Sequence, residues 1–281
     1  VELSYKSSKI NSIIYEINQF SKDLFHSNLL QSKNCMDYLV VKRKFTEETI
    51  EKFYLGSSFN SSLLQKKLLD NFELKDLISS GIFNKNQNSK IFFRNRIMVP
   101  INNTQDKTIG FGARVIDESL PKYINTAETK LFKKKQILFN ESCLDKHSNN
   151  KVILVEGYFD VIKLHQSGFL NCVAPLGTSI NHERIIELTR KGYEVIICLD
   201  GDLAGRNASL RLMNNLLSSK DFELGVKFVL LPKDYDPDLM LESQMKDQLV
   251  KLINQPLNIE QFIDKYLDKY FSSNDINEQF K

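Results

Sequence analysis

Between Lys151 and Leu210 the chain alternates short, β-branched apolar runs with amphipathic stretches, and few folds accept that order. KVILVEGYFDVIKLHQSG holds a strand-length run ending in Val155-Glu156-Gly157, then a helical pattern closed by Gly168. LNCVAPLGTSI is a second apolar run with a turn at Gly177. YEVIICLDGDLAGRNASLRLM is a third, running into Asp200-Gly201-Asp202 and then a helix. This alternation indicates βαβ units, hence an α/β fold with a parallel sheet. Parallel sheets bind ligands outside the carboxyl ends of their strands. Glu156, Asp200 and Asp202 all fall there. Three carboxylates at one lip repel each other unless a cation neutralises them, and an all-oxygen donor set suits Mg²⁺ or Mn²⁺. Asp-x-Asp alone is weak evidence, because aspartates also cap helices and fill turns. Glu-Gly after one strand, paired with Asp-Gly-Asp after a strand about forty residues later, is far more specific.

At 281 residues the chain suits two packed units rather than one. No apolar run reaches the roughly eighteen residues of a membrane span. The chain starts with Val and shows no signal segment, so it reads as an excised fragment of a cytosolic protein. Its four cysteines (Cys35, Cys143, Cys172, Cys198) lack CxxC or CxxH spacing, which indicates neither a zinc site nor a disulfide framework. Cys172 and Cys198 lie in apolar runs and are expected in the core. Net charge is only +3, but its distribution is uneven. Residues 85–135 carry eleven Lys or Arg against four Asp or Glu, a basic segment suited to a polyanion.

Residues 1–84 are expected to be mainly helical. Ile10, Ile13, Ile14, Ile17 and Phe20 share one helical face. A second helix starts at the cap Thr46, with Glu47 and Glu48 in its first turn, and stops at Gly56. Leu63, Leu64, Leu68 and Leu69 mark a third. IFFRNRIMVPI then reads as a strand with Phe92, Arg94, Arg96 and Met98 on one face, so that two arginines could grip neighbouring phosphates. TIGFGARVID returns as its partner, with Gly110 and Gly112 beside Arg114 leaving a path for a backbone to lie close. On spacing alone, a structural hairpin with exposed arginines fits equally well. In the sheet, Asp160 reads as a first-turn helix acid rather than a further site acid, and His165 as a surface residue. Arg206 suits either a phosphate or a salt bridge. After the apolar run Val226–Leu231, Asp236 and Asp238 flank Pro237 at a strand end. From 236 onward the chain is again helical, with a polar tail, SSNDINEQFK, expected to fray.

The Glu156 and Asp200-Gly201-Asp202 pairing resembles the Toprim domain. VEGYFDVIKLHQSG, APLGTSI and CLDGDLAGRNAS are similar to the bacterial DnaG-type primases, as are YLVVKRKFTEETIEKFYLG, FFRNRIMVPI, GFGARVID and PKYINTAETKLFKKKQILF in the same order. The resemblance covers roughly residues 38–265. Four positions depart from it: Lys44, Ala113, Lys135 and Asp234 stand where the family usually has Gly. It implies an N-terminal α+β subdomain with a basic hairpin (1–140), a Toprim sheet of Rossmann-like order (150–235) and a C-terminal helical segment (236–281). It further implies a DNA-directed RNA polymerase that makes short RNA primers from NTPs on single-stranded DNA, in the bacterial cytoplasm.

On that resemblance Glu156, Asp200, Asp202, Lys122 and Lys134 are catalytic. Glu156, Asp200, Asp202, Asp236 and Asp238 hold two divalent ions, Mg²⁺ or Mn²⁺. Arg94, Arg96, Arg114, Lys122, Asn125 and Lys134 contact nucleotide or template. The family's zinc-binding module and its helicase-binding domain have no counterpart in these residues, so contact with a replicative helicase is expected through a domain absent here. A Toprim nuclease or topoisomerase would share Glu156 and the Asp-Gly-Asp acids, but a topoisomerase needs a nucleophilic Tyr on further domains. A non-catalytic replication scaffold would have no need of five acids.

Overall fold

A computed structural model describes residues 2–85, 90–147, 150–177, 180–219 and 225–271. Thr178 and Ser179 of the expected Gly177 turn, and the tail expected to fray, lie outside them. The chain divides into two compact units, Val1–Lys146 with Pro175–Thr178, and His147–Ala174 with Ser179–Lys281.

The first unit is built on the helix Glu2–Leu30. Ile14 and Ile17 are buried and Ile13 and Phe20 partly so, while Ile10 is exposed. The helix lies against an antiparallel sheet whose order is Gly56–Ser57, Arg96–Asn102, Thr108–Val115, Tyr123–Asn125. Contact is close enough that a Cβ on Gly56 would stand 2.6 Å from Phe25 Cβ. Gly56 therefore serves this packing and not a helix stop. The helix capped by Thr46 ends earlier, spanning Glu47–Lys52, and Thr46 Oγ1 accepts from the Thr49 N–H at 3.2 Å. In the helix Ser61–Asn71 only Leu64 and Leu68 of the four expected leucines are buried; Leu63 and Leu69 are exposed.

In the second unit four strands run parallel in the order Cys172–Pro175, Lys151–Leu154, Glu194–Ile197, Val226–Phe228. Val152, Ile153, Leu154, Val195, Ile196 and Ile197 are buried, as a sheet covered on both faces requires. Cys172 and Cys198 are buried within it as free thiols. The helix Tyr158–Gln166 is buried almost all round, and His165 with it, contrary to the surface placement expected. Phe228 stacks on Phe262 at 4.4 Å, which anchors the helix Ile259–Phe271. Among the described residues no helix is long and apolar enough to cross a membrane.

Two of the four positions where the resemblance leads one to expect Gly adopt left-handed backbone: Lys44 at φ 52° and Asp234 at φ 63°. A Cβ there is strained by about 1–2 kcal/mol, less for Asp, while Gly loses part of that advantage to chain entropy. Lys44→Gly is expected to stabilise by roughly 0.5–1 kcal/mol in urea unfolding. A loss of stability would show that the Lys44 side chain matters more than its backbone.

Candidate functional site

In the second unit, Glu156 lies two residues past the strand Lys151–Leu154 and Asp200 three past Glu194–Ile197, so parallel pairing brings both to one edge. Glu156 Oε1 accepts from the Asp200 N–H at 3.0 Å. Asp202 caps the helix Leu203–Leu217, its Oδ1 accepting from Gly205 N–H at 2.7 Å. Asp236 caps Pro237–Glu242 in the same way, Oδ1 to Leu239 N–H at 2.6 Å. The loop before Asp236 is tied to the Asp200 turn through Gly201. Its N–H donates to Tyr235 O at 2.7 Å, and its carbonyl accepts from Asp234 N–H at 3.2 Å.

Two glycines permit this closeness. A Cβ on Gly205 would meet Asp200 O at 2.3 Å and Glu156 Oε1 at 2.7 Å, and one on Gly201 would sit 1.9 Å from Pro232 O. The Pro232 and Glu156 contacts are not visible in the sequence motif, since they come from segments about thirty to fifty residues away, whereas Asp200 O lies five residues before Gly205.

The electrostatics follow from burial and crowding. Burial, then the neighbouring charges of Asp160, Glu156, Asp236 and Asp202, push the Asp200 carboxyl up to about 8. Burial also holds Glu156 above the usual carboxylate range, with Asp202 and Asp236 adding to it, against the lowering effect of the Asp200 N–H bond. Asp160 is a first-turn acid of the helix Tyr158–Gln166, as expected, and its charge also bears on Asp200, which the sequence reading did not anticipate. Its four-residue spacing from Glu156 was the available signal. Asp238 is brought elsewhere: it is 5% exposed, with the Lys163 ammonium 3.5 Å from its Oδ1.

Among the described residues no three acidic side chains stand close enough to ligate one ion together. The acids nevertheless suit a hard divalent cation. Asp200 Oδ1 is buried without a hydrogen-bond partner, and the surrounding donors are carboxylate oxygens. Arg206, in the first turn after Asp202, has a buried Nη2 that also lacks a hydrogen bond.

In the first unit the two arginines do not share a strand face. The strand begins at Arg96, and Asn95 at φ 50° breaks the alternation. The cause is packing. Ile91 bridges Phe83, Phe92 N–H donates to Ile82 O at 2.7 Å, and Phe93 is buried against Phe111. Arg94 is exposed and lines a cavity of about 480 Å³ with Lys66, Lys90 and Asp70. Arg96 is buried, its Nη1 donating to Pro121 O at 2.9 Å. The register Arg96↔Val115 and Ile97↔Arg114 puts Arg114 on the opposite face. There its guanidinium lies over the Tyr123 ring at 5.0 Å and donates to the Tyr123 hydroxyl.

The side-chain-free path expected along Gly110 is closed, because a Cβ there would meet the Phe132 ring at 3.1 Å and Thr126 Oγ1 at 3.2 Å. Asn125 donates to Leu176 O at 3.1 Å. Lys122 is exposed, and Lys134 is half-buried with its N–H on Glu128 Oε1 at 2.9 Å.

Comparison with known proteins places both units. Residues 24–145 match the family described as DNA primase catalytic core, N-terminal domain, and residues 150–227 match the Toprim domain. The chain is 39% identical to a DNA primase of Rickettsia prowazekii over 267 residues, covering 93% of this chain and 44% of that protein. It is 33% identical to one of Legionella pneumophila over 271 residues, covering 94% and 46%. The chain thus spans under half the length of these relatives. Among solved structures, the zinc-binding and RNA polymerase domains of the Aquifex aeolicus primase superpose with TM-score 0.82 at 30% identity, covering 94% of this chain and 66% of that one. A DnaG primase catalytic domain bound to single-stranded DNA superposes with TM-score 0.81 at 28% identity, covering 95% and 87%.

Proposed function

Because the chain belongs to the bacterial DnaG-type primases, over the stretch that forms their catalytic core, we propose that it is a DNA-directed RNA polymerase. It makes short primers on single-stranded template. A 3′-hydroxyl attacks the α-phosphate of an incoming NTP, a new P–O bond forms, and pyrophosphate leaves. One observation carries the reading: Asp200 keeps a buried, unbonded oxygen amid acids that raise its pKa, an arrangement that favours drawing in a divalent cation. Glu156, Asp200, Asp202 and Asp236 would hold such an ion, and Mg²⁺ or Mn²⁺ would supply Lewis acidity there.

The chain's own residues do the rest. Glu156, Asp200, Asp202 and Asp236 provide the oxygen donors, and Asp160 adds negative charge beside them. Arg206 offers a guanidinium one turn beyond Asp202. Arg96 and Arg114 brace the hairpin, so the phosphate contacts of template and triphosphate fall mainly to Arg94, Lys122 and Lys134.

Ribonucleotide incorporation on a single-stranded template with MgCl₂ tests the activity directly; no incorporation by the folded chain would refute it. The cation roles are tested separately by titrating fluorescent single-stranded DNA at several salt concentrations. Lys122→Ala and Lys134→Ala are each expected to lower the slope of log affinity against log salt by about 0.7. Unchanged slopes in both would return these lysines to a solvated surface.

A further inference from the structure

Lys163 sits in the middle of the helix Tyr158–Gln166 and is 5% exposed. Its ammonium lies 3.5 Å from Asp238 Oδ1 and 3.7 Å from Glu242 Oε1. The first is an ion-pair distance whose geometry falls short of a hydrogen bond. Asp238 and Glu242 are one turn apart on Pro237–Glu242, so both carboxylates turn towards one cation. A buried ammonium is costly alone, and so is a buried carboxylate. Here each offsets the other.

The helix Pro237–Glu242 has only six residues, too few to hold its own position in water. Packing against Tyr158–Gln166, together with this ion triad, sets where it lies. Its cap is Asp236, one of the charges bearing on Asp200. Lys163 itself follows Asp160, another of those charges, by one turn. The triad therefore joins the two elements that carry Asp160 and Asp236.

We propose that Lys163 is a positioning residue for the cation site, and that Asp238 is its buried counter-ion and not a cation ligand. Held by Lys163, the short helix keeps Asp236 facing the Asp200 turn, and Asp238 is withheld from any ion bound there. This rests on the cation-dependent reading above and names how that site is kept in shape.

The test is Mn²⁺ binding to the intact chain, followed by electron paramagnetic resonance of free Mn²⁺ in salt high enough to screen distant charges. Thermal melts by circular dichroism report the fold. Lys163→Met removes a positive charge near the site, so electrostatics alone would tighten Mn²⁺ binding. Positioning demands the reverse, and the expected result is about tenfold weaker binding with a Tm lower by about 5 °C or more. Lys163→Arg is expected to bind within threefold of wild type. The Lys163→Met/Asp238→Asn pair is expected to lose less than the sum of its single losses. Equal or tighter binding by folded Lys163→Met overturns the proposal, as does additivity of the pair. Should Lys163→Met not fold, Glu242→Gln leaves Lys163 paired with Asp238 and is expected to weaken Mn²⁺ about threefold; unchanged binding there overturns it. A wild-type chain that binds no Mn²⁺ overturns the cation reading itself, a result distinct from all of these.

Discussion

Asp200→Asn is expected to abolish primer synthesis while making the protein more stable in alkaline buffer without divalent cation. In the folded chain the Asp200 carboxyl is pushed up to about 8 by burial and by Asp160, Glu156, Asp236 and Asp202. Unfolded, it titrates near 3.9. Between about pH 4 and pH 8 the folded state therefore holds a proton that the unfolded state has lost, and stability falls as pH rises through that window. Above about 8 the cost is fully present; below about 4 it is absent. Asparagine stays neutral throughout.

The variant should thus match wild type near pH 3.5 and exceed it by on the order of 2 kcal/mol at pH 8.5, as partial solvation of the site limits the gain. Added MgCl₂ should raise the Tm of wild type at pH 8.5 and leave the variant unmoved. Incorporation of ribonucleotides should drop by about a hundredfold or more. Equal stability of the two chains at pH 8.5 would remove Asp200 from the crowded cluster, and undiminished incorporation would remove it from the chemistry.

The second large effect belongs to a residue with no side chain. Gly201→Ala places a methyl group 1.9 Å from Pro232 O and 3.0 Å from Tyr235 O, both backbone atoms. The clash can be relieved only by moving the loop 232–235, and with it the two hydrogen bonds that join Gly201 to Asp234 and Tyr235. A loss of about 2–4 kcal/mol in urea unfolding is expected, together with weaker Mn²⁺ binding as Asp236 moves away. Gly168→Ala provides the contrast. At φ 101° it meets no atom within 4 Å, so backbone strain is its main cost, about 1 kcal/mol, with Mn²⁺ binding unchanged. If Gly201→Ala proves no more harmful than Gly168→Ala, the tie between the two loops does not hold the site.

What the sequence by itself determined is whatever depends on neighbours along the chain. Strand-length apolar runs alternating with amphipathic stretches specify a parallel sheet, because each run fixes its own backbone state and its own buried faces. Once the sheet is parallel, acids that follow its strands arrive at one edge, and so Glu156 and Asp200 are legible as neighbours from sequence alone. Thr46 was legible as a cap for the same local reason.

Only the tertiary structure decided which distant side chains meet. It brought the charge of Asp160 to bear on Asp200, forty residues on, through the parallel pairing of the strands that precede them. It set Asp238 against Lys163, on another helix, with both side chains buried. It separated Arg94 from Arg96, since Phe92 and Phe93 are drawn into the helical core and the chain must turn at Asn95 before the strand can begin. It closed the Gly110 path with Phe132, and it brought Pro232 against Gly201 and Glu156 against Gly205, where a Cβ would clash. Local pattern records backbone conformation and the period of burial. Contact between remote segments is set by close packing and by the cost of leaving a buried charge alone, and neither leaves a periodic mark in the chain.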